Sequence, residues 1–144
     1  MSIQNVPDFD PAKNPLAPKV IAYGEAFQAA VAKARAGGGK PDWSDFRALI
    51  DTDNFERVGV YKEVMDWPTY QGFLDQFATT TSWEGVFRRV TEAPGLVVLE
   101  LEEHNSFDGH TDVSNTVTIY RFNAAGKVDH LDVYLQSEAI RPKG

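Results

Sequence analysis

Few residue types in this chain can do chemistry. Cysteine is absent, which removes thiol nucleophiles, thiolate metal sites and disulfides together. Three histidines each stand two positions from a carboxylate: His104 from Glu102, His110 from Asp112 and His130 from Asp132. His104 and His130 fall on strands that flank a third, about two inter-strand spacings or ~10 Å apart. One metal ion with ligand bonds near ~2 Å cannot bridge that gap, so the reading assigns no metal and no cofactor. No Gly-x-Ser-x-Gly or Gly-x-Gly-x-x-Gly occurs, and Gly37-Gly38-Gly39-Lys40 lacks phosphate-loop spacing. Acid–base chemistry is what remains. Glu103, held among Leu99, Leu101 and Val133, would suit proton transfer; on a bare rim it would simply be solvated. Arg57 either clamps a carboxylate or enolate oxygen or makes a surface ion pair with Glu56 or Asp53. Tyr23 and Tyr61 are phenols that would orient a ligand, although Tyr23 reads better as a core aromatic whose hydroxyl finds a backbone partner.

The elements that must position these residues follow from periodicity. Residues 1–17 carry Pro7, Pro11 and Pro15 without a repeat, and read as an irregular arm. Pro18 opens a helix whose stripe is Val20, Tyr23, Phe27, Val31 and Ala34. Gly37-Gly38-Gly39 ends it. A shorter helix starts at Pro41-Asp42-Trp43-Ser44, with Trp43, Phe46, Leu49 and Ile50 inward. Short strands are expected near Phe55 to Gly59 and Tyr61 to Met65. Asp66-Trp67-Pro68 opens a third helix that buries Tyr70, Phe73, Leu74 and Phe77. Four strand-like runs follow, Trp83 to Thr91, Leu96 to Asn105, Thr111 to Phe122 and Lys127 to Gln136. Tight turns separate them, Asp108-Gly109 being a favoured hairpin pair. Helices first and a strand meander after is an α+β order.

A two-residue turn at Asp108-Gly109 pairs Phe107 with His110, and hence Leu101 with Thr116 and Glu103 with Ser114. One face then carries Val97, Leu99, Leu101, Glu103, Thr116 and Tyr120. Leu131, Val133 and Leu135 of the last strand must join it against the helices. The opposite face holds Val117, Ile119 and Tyr134 at its middle, too apolar for plain solvent, so a second subunit is expected there. Arg88-Arg89, the only adjacent basic pair, should point to opposite faces of its strand.

This pattern resembles the nuclear transport factor 2-like cone, and more narrowly SnoaL-like and ketosteroid isomerase-like bacterial proteins. The residues that carry the resemblance are Asp45-Phe46 through Asp53, Trp67-Pro68-Thr69-Tyr70, Ser114 through Phe122, and Gly126-Lys127-Val128 into Val133-Tyr134-Leu135-Gln136. It covers roughly residues 18–137. The resemblance implies a cone-shaped, cystatin-like roll, with three N-terminal helices packed on a curved, mixed but mainly antiparallel sheet. This fold hosts isomerases, cyclases, dehydratases, epoxide hydrolases and non-enzymes. Limonene epoxide hydrolase-like members need an Arg and an Asp two apart on one strand and an Asp on the last. The matching positions here are Leu99, Leu101 and Val133, which excludes that apparatus. Ketosteroid isomerase-like members place a carboxylate base where this chain reads Phe55-Glu56-Arg57-Val58-Gly59.

A pocket inside such a cone would be lined by Tyr23, Phe27, Phe46, Tyr61, Trp67 and Phe73, and by Trp83, Leu99, Leu101, Thr116 and Val133. It would take a small hydrophobic ligand. The expected function is a small-molecule-binding domain, with cofactor-free proton transfer on a hydrophobic carbonyl compound as its chemistry. The alternative is non-catalytic ligand binding or protein interaction. The net charge is −7 over 144 residues, which argues against nucleic acid and anionic membrane as partners. The expected organisation is an arm at 1–17, one domain at 18–137 and a tail at 138–144. A homodimer through the convex sheet face is expected. The opening residues lack the pattern of a signal peptide, so a cytoplasmic protein is expected.

Overall fold

The computed structural model describes residues 3–138; the tail beyond Glu138 lies outside the described residues. Helix α1 spans Ala17–Gly37, with Pro18 in its first turn and Gly38 closing it at φ 66°, a left-handed conformation that glycine adopts without strain. No side chain of its own turn caps it. Glu92, distant in sequence, does so instead. Its Oε1 accepts from the backbone N–H of Leu16 at 2.9 Å and of Ala17 at 2.7 Å. Helix α2 is a single turn, Ser44–Arg47, that buries Phe46. The expected inward pair Leu49 and Ile50 lies past its end, where Ile50 bridges to Val128. Helix α3, Trp67–Thr80, starts at Asp66, whose side chain accepts from the Thr69 N–H. It ends at Thr81 in extended backbone, as the β-branched Thr79-Thr80-Thr81 run favours.

The sheet has seven strands in the order β1-β4-β5-β6-β7-β2-β3. The long ones are β4 (Ser82–Ala93), β5 (Leu96–Phe107), β6 (His110–Phe122) and β7 (Val128–Ser137). They form an antiparallel meander. The short β2 (Glu56–Val58) lies parallel to β7 and pairs with β3 (Val64–Met65). The arm is not wholly irregular. Its residues Ile3–Gln4 form β1, parallel to β4, because Gly24 of α1 leaves room there for the Ile3 side chain.

The hairpin register is the one that Asp108-Gly109 dictates: Phe107 pairs with His110, Leu101 with Thr116 and Glu103 with Ser114. Burial therefore alternates along β5, with Val97, Leu99 and Leu101 buried under the helices. A register shift between Phe87 and Arg89 corrects one expectation. The extra residue puts Phe87 and Val90 on the inner face and leaves Arg88 and Arg89 together on the outer one. Each is matched there by a glutamate, Arg88 by Glu102 and Arg89 by Glu100. The core fills the angle between sheet and helices, with Phe46 and Ile50 almost wholly buried. Among the described residues no helix is long and apolar enough to cross a membrane.

Candidate functional site

Between the inner sheet face and helices α1 and α3 lies a cavity of about 270 Å³. Its floor is aliphatic, from Leu99 and Leu101 on β5 and Leu131, Val133 and Leu135 on β7. Its walls are aromatic, from Tyr23 and Phe27 on α1, Tyr70, Phe73 and Phe77 on α3, and Trp83 on β4. Thr116 and Thr118 of β6 add hydroxyls. Among the described residues lining it, one is a carboxylate and one a cation, Glu103 and Arg57.

Glu103 is fixed at both oxygens. The Trp83 indole N–H donates to Oε1 at 2.8 Å, and the Thr116 hydroxyl donates to Oε2. Gly85 makes the first possible. It sits directly across the ladder from Glu103, and a Cβ there would stand 2.7 Å from the Trp83 ring. Glu103 is thus held, not left on a solvated rim.

Arg57 lies on β2 opposite Leu131. In an extended strand its neighbour Glu56 must point the other way, and Glu56 meets His130 Nδ1 on the outer face at 3.4 Å. The Arg57 guanidinium lies over the rings of Tyr70, at 5.2 Å, and Phe73, at 5.8 Å. Its Nε is buried without a hydrogen-bond partner. Among the described residues it makes no ion pair, with Glu56, Asp53 or Glu103.

Three phenols lie between the charges. Tyr23 and Tyr70 hydroxyls are 3.3 Å apart, and the Tyr120 ring meets Tyr23 edge-on. Burial pushes Tyr23 and Tyr120 well above the ordinary phenol range and raises Tyr70 as well. At Tyr70 the Arg57 charge pulls the other way while Glu103 adds to the rise; at Tyr120 Glu103 also adds. All three therefore enter the site as neutral O–H groups.

Of the residues expected around the pocket, Tyr23, Phe27, Phe73, Trp83, Leu99, Leu101, Thr116 and Val133 line this cavity, with Glu103 and Arg57. Three do not. Phe46 and Trp67 are buried behind it, stacked in the aromatic core. Tyr61 is 75% exposed in the β2–β3 turn. Helical periodicity marks a residue as inward but not as first or second layer, which is why Phe46 and Trp67 were expected there. Sequence reasoning passed over Tyr70, Tyr120 and Asn105 as site residues. Asn105 was legible, since it shares the parity of Glu103 on β5. The histidines stay apart: His104 bonds Glu102 at 2.9 Å and His130 bonds Asp132 at 2.9 Å. Among the described residues no cluster of three His, Asp or Glu side chains is placed to hold a metal.

No family model and no curated protein sequence matches the chain. Solved structures do. A candidate SnoaL-like polyketide cyclase from Jannaschia sp. CCS1 superposes with a TM-score of 0.69 at 14% identity, over 91% of this chain and 92% of that one. A nuclear transport factor 2-like protein of unknown function from Exiguobacterium sp. 255-15 gives 0.66 at 15% identity, over 82% and 98%. The chain has the nuclear transport factor 2-like fold. An epoxide hydrolase from M. tuberculosis, of the limonene epoxide hydrolase-like kind, is also similar, with a TM-score of 0.62 at 12% identity over 83% and 84%. Here Leu99, Leu101 and Val133, where such hydrolases are expected to carry their charged groups, stand in the cavity floor as plain aliphatics.

Proposed function

We propose that this protein binds a small hydrophobic carbonyl compound in the cavity and catalyses a cofactor-free proton transfer on it. The observation that carries the reading is Glu103, a carboxylate facing an apolar cavity, hydrogen-bonded by Trp83 and Thr116 and free of any ion pair among the described residues. Two bonds leave the carboxylate with further lone pairs for a substrate proton. Glu103 takes a proton from the carbon next to the carbonyl, and the C–H electron pair moves into an enolate. The negative charge on its oxygen is met by the neutral Tyr70 and Tyr23 hydroxyls and by the field of Arg57. Where a carbon–carbon double bond is conjugated to the enolate, return of the proton from Glu103 to the far carbon of that bond releases an isomer. At about 270 Å³ the cavity sits just below the ~300–1,000 Å³ of common small-molecule sites, which favours one- or two-ring compounds over four-ring ones.

The test is exchange of α-protons for deuterium in small hydrophobic ketones, followed by proton NMR. The wild type should accelerate exchange, and Glu103→Gln should lose roughly 10²- to 10⁴-fold of that rate. Equal rates in the two proteins would remove Glu103 from the chemistry. A second reading, binding without turnover, draws on the aliphatic floor at Leu99, Leu101 and Val133 and on the satisfied oxygens of Glu103; ketone binding with no exchange in either protein would select it. We also infer that two copies pair through the outer sheet face. Val113 and Tyr134 are exposed there, and Val117 sits across the ladder from Tyr134.

A further inference from the structure

We propose that the hydrophobic carbonyl compound also carries a carboxylic acid, bound as its anion, with Arg57 as the receptor of that carboxylate. The proposal rests on the binding reading above and narrows its ligand class. Arg57 is the one cation among the described lining residues. Its guanidinium carbon stands 5.2 Å from the Tyr70 ring centre and 5.8 Å from that of Phe73, and the N–H donors lie along the edge of the group. On that edge the buried Nε–H has no acceptor. An Nε–H beside a terminal N–H is the fork that a carboxylate fills with two parallel hydrogen bonds.

Among the described residues no anion pairs with Arg57. Glu56 is turned to His130 on the other face, and Glu103 is tied to Trp83 and Thr116. A buried N–H without an acceptor is costly, and a ketone with no acid group would bond it yet leave the guanidinium charge unmatched. A ligand carboxylate answers both. Phosphate and sulfate fit less well, because they need several donors or cations around one centre and this wall offers a single guanidinium. Phe73 is 45% exposed, so the Arg57 end opens to solvent, as the charged end of a ligand requires. The hydrocarbon part then lies along Leu99, Leu101 and Val133 towards Glu103.

The test is titration calorimetry with benzoate, 2-naphthoate and hexanoate, each beside its neutral amide, on the wild type and on Arg57→Gln. At least one acid should bind, and its amide should bind on the order of ten- to a hundred-fold more weakly. Arg57→Gln should weaken the acid to about the level of its amide and weaken the amide far less. Amides that match their acids on the wild type, or an acid indifferent to Arg57→Gln, would overturn the carboxylate assignment and leave the cavity reading standing. If neither acids nor amides bind the wild type, the cavity reading falls with it. The acid–amide comparison uses the unaltered chain, so it decides even if the variant folds poorly.

Discussion

At the scale of single residues, the site depends on three tyrosines staying neutral. Tyr23, Tyr70 and Tyr120 are each held above the ordinary phenol range by burial. The fold therefore favours their protonated forms. That contribution to stability is fully present below the unfolded-state value near ~10 and is lost as pH rises through it towards the folded-state values. In a spectrophotometric titration these three should ionise only together with alkaline unfolding. Ionisation of all three near ~10 with the fold intact would contradict their burial. The opposite sign holds for Asp51 and Asp66, whose carboxyls are lowered first by hydrogen bonds from Asn54 and Thr69 respectively. Their contribution is present above the ordinary carboxylate range and fades as pH falls below it. Residue-level chemistry was only partly legible in the sequence. Strand parity put Glu103 on the inner face, but nothing local told which of Glu56 and Arg57 would point inward. That choice is made by pairing of β2 with β7, a contact some 75 positions away along the chain.

At the scale of elements, the long helix is positioned by a strand end. Both open N–H groups at the start of α1 bond to Glu92, and the Lys19 ammonium donates to the Gly126 carbonyl at 2.8 Å. These two ties set α1, and with it Tyr23 and Phe27, over the sheet. Glu92→Ala removes a cap and should cost about 1 kcal/mol, lowering the thermal midpoint by ~3 °C. A midpoint unchanged within error would mean that solvent satisfies the helix start as well. Glu92 faces inward because of the shift between Phe87 and Arg89; without it the residue would point away from α1. No turn residue announces a bulge in mid-strand, so alternation read from sequence holds up to Phe87 and then slips. It held at Asp108-Gly109, where the turn pair itself dictates the register. The β1 pairing was hidden for a related reason, since two residues are too short for a period.

At the scale of the whole molecule, the same sheet serves two surfaces. Its inner face is aliphatic and roofed by helices. Its outer face alternates ion pairs with the apolar Val113, Val117 and Tyr134. Pairing of two copies there should give twice the 16.0 kDa chain mass by sedimentation, and Val117→Glu should return the monomer. A wild type that sediments as a monomer would remove the interface. The fold was legible because long amphipathic elements and hairpin turns are local signals. Which inward aromatics touch the cavity was not, because layering is a property of packing: Phe46 and Phe27 share the helical logic, yet only Phe27 reaches the open space. The central claim is that a ligand enters the cavity and meets Glu103. The three tryptophan indoles provide a direct readout, because Trp83 bonds Glu103 whereas Trp43 bonds Asp75 at 2.7 Å away from the cavity. The measurement is the indole nitrogen–proton NMR spectrum during titration with small hydrophobic ketones and carboxylates. The account predicts a saturable shift of the Trp83 signal with Trp43 and Trp67 nearly still. A spectrum in which Trp83 does not move, while any ligand demonstrably binds, would contradict it.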